Sequence, residues 1–292
     1  ILNGGSSFTN FAANDWKDAT LWIKQNTSED AVIASWWDYG YWITTLSDRT
    51  TIADNATLIN WQINKLAYSL ITPPENSWHI LSSHYTEDIS QYLGDETILA
   101  FGGDLESEFI TNFRNNNDGK DCEQIFKADA QKLGVGEESC NPITKGMDAD
   151  YIVIYLAGER FYPEGVNAPL YTLEGGGDES KKTWFVKISN HQFSKMLEND
   201  NITPTKFYME NTTLGMLTPF SIFKYVELNT GRTFDTYQNG FIPVYVNDLK
   251  FKDPENDPFY LVYASPSFYS QDPGLMSAVL IYKINHDYNP QN

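Results

Sequence analysis

A single carboxylate stands among aromatic residues near the start of the chain. Residues 35–42 read SWWDYGYW, in which five of the eight residues are aromatic and Asp38 is the only charged one. An ordinary core strand does not explain this pattern, because the adjacent Trp36 and Trp37 would point to opposite faces and aspartate is a poor strand former. A carboxylate held among indoles in a partly desolvated pocket accepts hydrogen bonds strongly, and indole N–H groups donate beside it. The residue types therefore indicate a site for a small hydroxyl ligand, either a Ser/Thr side chain or a sugar.

A second charged pair, Asp178 and Lys181, stands in the segment DESKKTWFVKI at residues 178–188. On its own, this spacing is typical of an ordinary helix N-terminus with an i, i+3 charge pair. The segment follows DADYIVIYLAG, in which the continuous apolar run over residues 151–157 predicts a strand buried inside a sheet. The position of the pair after that strand is what makes it a candidate for a functional role.

Helices and strands alternate around these motifs. The segment NDWKDATLWIKQNTSED predicts an amphipathic helix with Asn14 as its N-cap and with an apolar stripe of Trp16, Ala19, Trp22 and Ile23. AVIAS predicts a strand that gives way to a loop or a helix within SWWDYGYW, where Gly40 interrupts it. A further helix is predicted in NATLINWQINKLAYSLITPP and ends before Pro73 and Pro74. This helix–strand–helix–strand order predicts a mixed α/β core.

The sequence divides into three parts. Residues 1–74 and 148–230 are predicted to form the α/β core that carries both motifs. Residues 75–147 are richer in Asn, Asp, Gly and Glu, and we expect an insertion with short elements of its own. Residues 231–292 contain strand-like segments separated by Asn, Gly and Pro turns, which predict a β-rich C-terminal unit.

The charge balance excludes one class of partner. The chain of 292 residues carries 39 acidic and 20 basic residues, a formal net charge of -19. Such a surface repels phosphates, so we expect no nucleic acid partner and no docking on anionic lipid headgroups. No run of 18 apolar residues occurs, so no membrane span is predicted, and the first residue, Ile1, suggests a processed protein or a fragment of a longer one.

The two cysteines, Cys122 and Cys140, lie in one stretch of the predicted insertion. Their spacing lacks the close pairs of a zinc ribbon, and the four histidines form no ligand motif, so neither set predicts a metal site. A local disulfide is the favoured interpretation, and it indicates an oxidising or extracellular compartment. Closing such a loop stabilises a protein by about 3 kcal/mol in the chain-entropy model.

One loop has part of the spacing of a calcium site. In DPENDP, residues 253–258, the carboxylates of Asp253, Glu255 and Asp257 occupy alternate positions. Pro258 stands where an EF-hand turn needs glycine. A structural Ca²⁺ is therefore the less favoured interpretation of this acidic turn.

The WWDYG residues, 36–40, resemble the signature pentapeptide of the catalytic subunit of oligosaccharyltransferase, the enzyme of asparagine-linked glycosylation. The resemblance extends over the surrounding FAANDWKDATLWIKQNTSEDAVIASWWDYGYWITTLSDRTTIADNAT. DESKKTWFVKI is similar to the second motif of that family, with Asp178 and Lys181 at the expected spacing and Phe185 where the family has Met or Ile. MENTTLGMLTPFSIFKYVEL and LIYKI also resemble family segments, and the insertion and the β-rich end favour the archaeal branch.

The resemblance implies an acceptor-binding site in this chain. Its ligand would be the hydroxyl of the Ser or Thr two residues after the acceptor Asn, here called the +2 residue. The residues implied to bind it are Trp36, Trp37, Asp38, Lys181 and Phe185. The residues implied to support them are Tyr39, Gly40 and Asp178. In the family, the residue at the position of Phe185 contacts the methyl group of the acceptor threonine.

The resemblance also implies the setting of the chain. It would be the soluble, exterior-facing C-terminal domain of a membrane enzyme that transfers an oligosaccharide from a dolichol-linked phosphate or diphosphate to Asn in an N-x-S/T polypeptide. The lipid-linked oligosaccharide and the Mn²⁺ or Mg²⁺ of the enzyme would bind in a transmembrane part outside this chain. We therefore expect no catalytic residue here and no activity from the isolated chain.

Two other classes of protein stay open from the residues. An extracellular carbohydrate-binding module or glycosidase also sets Trp, Tyr and Asp against sugar hydroxyls, and a glycosidase needs two facing carboxylates. An extracellular structural or surface-layer domain would explain the charge, the disulfide and the β-rich end without any site.

Overall fold

The structure is a computed structural model that describes residues 2–55, 60–84, 87–93, 145–164, 168–188 and 193–290. In these ranges the chain forms a mixed nine-stranded sheet with helices packed against it, which confirms the predicted mixed α/β class. The strands are β1 (Val32–Ser35), β2 (Thr50–Thr51), β3 (Tyr151–Phe161), β4 (Leu170–Thr172), β5 (Phe220–Glu227), β6 (Thr233–Phe234), β7 (Phe241–Asn247), β8 (Phe259–Ala264) and β9 (Gly274–Ile284).

Short helices outnumber long ones. The helices are α1 (Leu2–Asn26), α2 (Trp37–Trp42), α3 (Asn60–Ile71), α4 (Pro74–Ser82), α5 (Ser90–Leu93), α6 (Lys182–Ile188), α7 (Phe193–Met196), α8 (Lys206–Asn211), α9 (Thr213–Leu217) and α10 (Pro266–Tyr269). A π-helical turn, Ile43–Ser47, follows α2, and a 3₁₀ turn, Asp178–Lys181, precedes α6. No helix in the described ranges is both long and apolar enough to cross a membrane.

Strand β3 lies at the centre of the sheet. Along one edge it pairs antiparallel with β9, from Tyr151 opposite Lys283 to Arg160 opposite Gly274. Its other edge pairs with two shorter strands, parallel with β1 at its beginning and antiparallel with β4 at its end. Between these two pairings, the described residues place no strand along residues 154–158 of that edge. This gap in the sheet is the place where the two sequence motifs meet.

Helix α1 begins earlier than predicted. It begins at Leu2, so Asn14 lies inside the helix, and its prediction as the N-cap was wrong. The residues before Asn14 include Gly4, Gly5 and two serines, which are weak helix formers and hide the start of the helix in the sequence. The predicted apolar stripe is confirmed, because Trp16 and Ile23 are buried where α1 packs on β9.

The predicted elements around the motifs are present. Strand β1 ends at Ser35 and α2 begins at Trp37, which confirms that SWWDYGYW spans the change from strand to helix. The predicted buried strand is confirmed and continues beyond residue 157 to Phe161. Helix α3 ends at Ile71, and Pro74 begins α4, because proline is tolerated in the first turn of a helix.

Strands from three parts of the sequence pair in this sheet. β1 comes from residues 1–74, β3 to β5 come from 148–230, and β7 to β9 come from 231–292. The predicted division into a core, an insertion and a C-terminal unit stays a prediction. Cys122 and Cys140 lie outside the described residues, and so does the disulfide predicted between them.

Candidate functional site

The WWDYG residues lie at the turn from β1 into α2. Trp36 is extended, with φ −59° and ψ 140°, and the Tyr39 N–H donates to its carbonyl oxygen at 3.1 Å. From Trp37 onward the side chains follow the helical period, so neighbours no longer alternate between two faces. Trp36 and Tyr39 are buried, whereas Trp37 and Asp38 are half-buried. The turn therefore lets one short segment supply both core side chains and accessible ones.

Gly40 allows a neighbouring loop to approach α2 closely. A Cβ atom at this position would lie 2.1 Å from the carbonyl oxygen of Ala53 and 2.7 Å from the Cα atom of Asp54. Both are backbone atoms, which cannot move aside as a flexible side chain could. The glycine of the motif is therefore explained by packing, and it positions α2 against the loop that follows β2.

Asp178 anchors the second motif in the gap of the sheet. Its Oδ2 atom accepts the backbone N–H of Tyr155 at 2.8 Å, on the edge of β3 between the β1 and β4 pairings. The carboxylate thus takes the place of a strand carbonyl as the hydrogen-bond partner of β3. Asp178 is 1% exposed, so this contact with the sheet fixes the 3₁₀ turn that carries Lys181.

Lys181 brings the two motifs together. Its Nζ atom donates to Asp38 Oδ2 at 2.8 Å and to the Tyr39 hydroxyl oxygen at 2.7 Å. The same atom lies 3.7 Å from Asp178 Oδ1. The Lys181 ammonium group therefore links the second motif to the first, although Lys181 and Asp38 are 143 residues apart in the sequence.

One carboxylate oxygen of Asp38 has no hydrogen-bond partner among the described residues. Lys181 holds Oδ2, and the oxygen without a partner in the described part of the chain is Oδ1. The Asp38 side chain is 33% exposed, although Oδ1 itself is enclosed. Rotation of a carboxylate about χ2 is soft, so a modest turn brings the unpaired oxygen toward the exposed side of Asp38, where a donor can reach it. An enclosed acceptor without a partner is costly, so the arrangement favours an incoming hydroxyl or N–H donor.

Phe185 stands behind Trp36. The two rings meet edge to face with 4.6 Å between their centroids, and the Trp37 ring lies 6.3 Å from Trp36. Phe185 is fully buried, and its ring contacts that of Trp36. Its predicted contact with an acceptor methyl group stays a prediction.

Burial changes the acidity of this cluster. It raises the pKa of Asp178 to about 6, against the opposing effects of the Lys181 charge and the Tyr155 N–H bond. Burial, followed by the negative charges of Asp178 and Asp38, raises the pKa of Tyr39 far above its usual value. The Tyr39 hydroxyl therefore stays protonated and neutral beside the lysine.

Sequence reasoning missed the aromatic support beneath the site. The Trp16 ring from α1 lies 4.7 Å from the Tyr39 ring, and Tyr155 of β3 contacts Tyr39 edge to face at 5.9 Å. The apolar stripe of α1 showed that Trp16 is a core residue, but nothing local indicates which partner it meets. These contacts fix the Tyr39 ring so that its hydroxyl points at Lys181.

The acidic loop at residues 253–258, for which Ca²⁺ was the less favoured interpretation, is held by its own hydrogen bonds. Asp253 Oδ1 accepts the N–H of Glu255 at 2.9 Å, and Asp257 Oδ2 accepts the N–H groups of Lys252 and Asp253 at 2.7 and 2.8 Å. Within the described part of the chain, no group of three or more His, Cys, Asp or Glu residues could hold a metal ion. Calcium binding at this loop stays a prediction.

A family model matches the part of the chain that contains the first motif. The model, described as the STT3/PglB/AglB core domain, matches residues 28–131. That range includes WWDYG and ends before DESKKTWFVKI. The match confirms the predicted resemblance to the catalytic subunit of oligosaccharyltransferase.

Curated relatives match the chain over part of its length. The dolichyl-diphosphooligosaccharide–protein glycosyltransferase subunit STT3 of Saccharomyces cerevisiae is 36% identical over 101 residues, which cover 35% of this chain and 14% of that protein. Subunit STT3B of Oryza sativa is 40% identical over 70 residues, which cover 24% of this chain and 10% of that protein. The chain thus matches no more than about a seventh of either relative's length.

Two solved structures are similar to the chain at low identity. The C-terminal globular domain of the Archaeoglobus fulgidus oligosaccharyltransferase has 15% identity and a TM-score of 0.29, and the likeness covers 80% of this chain and 97% of that one. The C-terminal domain of C. jejuni PglB has 12% identity and a TM-score of 0.31, covering 92% of this chain and 99% of that one.

Proposed function

Starting from the STT3/PglB/AglB core domain that residues 28–131 match, we propose that this chain is the acceptor-binding C-terminal domain of an archaeal-type oligosaccharyltransferase. The parent enzyme transfers an oligosaccharide from a dolichol-linked phosphate or diphosphate to the Asn of N-x-S/T sequons. This domain lies on the extracellular face of the membrane. It binds the hydroxyl of the +2 Ser or Thr through Trp36, Trp37 and Asp38.

The pairing of Asp38 carries the proposal. Lys181 holds one carboxylate oxygen at 2.8 Å and leaves the other without a partner among the described residues. The Asp38 side chain is only 33% exposed, so a hydroxyl that donates to it is partly shielded from water. A hydrogen bond from a neutral donor to an ionised acceptor is roughly twice as strong as one between neutral groups. The site therefore has one strong acceptor, oriented by a buried turn.

The contribution of this site is orientation and selection. Holding the +2 residue places the acceptor Asn for attack on the donor without making or breaking a bond here. An acceptor that lacks the hydroxyl leaves Asp38 desolvated and unpaired, so the site rejects it more strongly than a loss of contact area alone would.

The reactive centre lies elsewhere in the parent enzyme. Its Mn²⁺ or Mg²⁺ supplies electrostatic activation and would be held by carboxylates of the transmembrane part, together with the lipid-linked donor. The described residues of this chain offer no cluster suited to such an ion. The isolated chain is therefore expected to bind acceptors without transferring sugar.

A glycosidase is disfavoured by the burial of the second carboxylate. Asp178 is the second carboxylate beside Lys181, and it is 1% exposed and accepts a hydrogen bond from the Tyr155 N–H. It cannot face a sugar across from Asp38 without leaving the sheet.

The test is glycopeptide formation by membranes that carry the full-length parent enzyme. They are given lipid-linked oligosaccharide and a fluorescent N-x-T peptide, and wild type is compared with Asp38→Ala. We expect kcat/KM to fall by a factor equivalent to about 2 to 4 kcal/mol of transition-state stabilisation, because a partly buried polar partner is removed. Asp235→Ala is the matched control, since Asp235 also pairs with a lysine, Lys224, at the β5–β6 hairpin, which carries neither motif. Full transfer by Asp38→Ala would contradict the proposed role.

A further inference from the structure

Trp184 is an exposed tryptophan beside the site. It is 62% exposed, the largest fraction among the tryptophan side chains that the structure describes. The Lys187 ammonium lies 5.7 Å from its ring centroid, so the ring rests on the surface of α6 under a cation. Tryptophan is enriched among the residues that dominate binding energy at interfaces, because it offers a large rigid surface.

The helix geometry places Trp184 next to Lys181. The buried side of α6 carries Lys182, Phe185 and Val186, so Trp184 lies on the opposite, outer side. Residues three apart on a helix are neighbours, with about 5–6 Å between their Cβ atoms. Lys181, at the junction of the 3₁₀ turn and α6, reaches Asp38 at 2.8 Å. Trp184 therefore lies about one helical turn from the lysine of the pair proposed to bind the +2 residue.

We propose that Trp184 binds an apolar or aromatic side chain of the acceptor polypeptide, at a position shortly after the +2 residue. This inference rests on the proposed function and extends it to the flanking sequence. The residues before +2 must lead to the acceptor Asn at the membrane part, so the segment free to lie on this chain follows +2. An extended segment advances about 3.3 Å per residue, so roughly one to three residues bridge from Asp38 to the ring, at positions +3 to +5.

Such a contact has a kinetic signature that differs from that of Asp38. The Trp184 ring would contact acceptor atoms that are remote from the reacting amide. It would therefore stabilise the bound acceptor by the same amount in the ground state and in the transition state. Loss of uniform binding raises KM and leaves kcat unchanged. Loss of the Asp38 contact lowers transfer to every acceptor, whatever its flanking residues.

The experiment uses membranes with the full-length parent enzyme, its lipid-linked donor, one set of N-x-T peptides and one reference N-x-T peptide. One set carries a single Phe at +3, +4 or +5, and the reference peptide carries Ser at all three positions. The variants are Trp184→Ala and Trp184→Phe. The matched control is Phe223→Ala, because Phe223 is 45% exposed on β5 with the Lys224 ammonium 5.9 Å from its ring centroid.

We expect at least one Phe peptide to have a KM about tenfold below that of the Ser peptide in wild type, equivalent to about 1.4 kcal/mol. Trp184→Ala should lose this advantage, and Trp184→Phe and Phe223→Ala should keep most of it. Equal turnover of the Ser peptide by all variants shows that they are folded. A Phe advantage that survives Trp184→Ala, or no Phe advantage in wild type, would overturn the inference alone. Absence of transfer by wild type would overturn the proposed function and this inference with it.

Discussion

Lys181 stabilises the site by sharing one positive charge among several partners. Its Nζ atom lies within 2.8 Å of the Asp38 carboxylate and the Tyr39 hydroxyl, and 3.7 Å from Asp178. Asp178 is bound to the sheet and Tyr39 is packed in the core, so the lysine has little freedom to turn away. The position of Asp38 thus depends, through Lys181, on two side chains that are buried in the core, Asp178 and Tyr39.

Removal of the Tyr39 hydroxyl should weaken acceptor binding without removing the carboxylate. Tyr39→Phe deletes an acceptor of Lys181 Nζ, and we expect kcat/KM for an N-x-T peptide to fall about tenfold. Tyr162→Phe is the control, because it deletes a tyrosine hydroxyl that donates to Gln271 O at 2.7 Å at the end of β3. Equal rates for the two variants would mean that Tyr39 serves packing alone.

The buried Asp178 carboxyl should make stability depend on pH. Its pKa of about 6 lies above the ordinary 3.8, so the folded state binds the proton more tightly than the unfolded state does. The stability that this group contributes is therefore fully present below about pH 4 and is lost as the pH rises through about 6. Urea unfolding of wild type and Asp178→Asn across this range should show the wild type losing stability relative to the variant as pH rises. A constant difference would contradict the burial of an ionisable Asp178.

At the scale of elements, the turn from β1 into α2 depends on the loop that packs over it. The carbonyl oxygen of Ala53 lies 2.1 Å from the place that a Cβ atom of residue 40 would occupy. The helix carrying Asp38 and the loop after β2 therefore form one packed unit. A change at Gly40 would move the motif even though this residue has no side chain.

Gly40→Ala should be strongly destabilising. We expect a loss of about 3 kcal/mol or more in the free energy of unfolding, because the methyl group would meet backbone atoms. Gly231→Ala is the control for replacing a glycine without a steric clash, since Gly231 has φ +69° and no atom within 4 Å of its Cβ position. It should cost only about 1 to 2 kcal/mol. Equal losses, measured by urea unfolding, would mean that the contact with Ala53 relaxes.

Sequence reasoning predicts the elements of this fold better than their contacts. The apolar stripe of α1, the buried run of β3 and the strand before WWDYG follow from the local order of apolar residues, and all are present. The start of α1 was missed because its first residues are weak helix formers. The hydrogen bond from the Tyr155 N–H to Asp178 could not be predicted, because it depends on a gap between β1 and β4 in the sheet, and no local sequence pattern indicates that gap.

At the scale of the whole molecule, the candidate site draws on distant parts of the chain. Asp38 follows β1, the open edge belongs to β3, and Lys181 precedes α6. β3 is in turn held along most of its length by β9 near the C-terminal end of the sequence. The motifs were identified in the sequence by their resemblance to one family, whereas their meeting at one ammonium group is visible only in the folded sheet.

The most direct test crosses a change in the site with a change in the acceptor. Membranes with the full-length parent, wild type or Asp38→Ala, are given peptides with Thr or the isosteric Val at +2, and kcat/KM is measured for all four pairs. If Asp38 binds the +2 hydroxyl, each change alone is costly and the second adds little, with a coupling energy of about 2 kcal/mol or more. Additive losses, with a coupling of no more than about 0.5 kcal/mol, would show that the hydroxyl is recognised elsewhere.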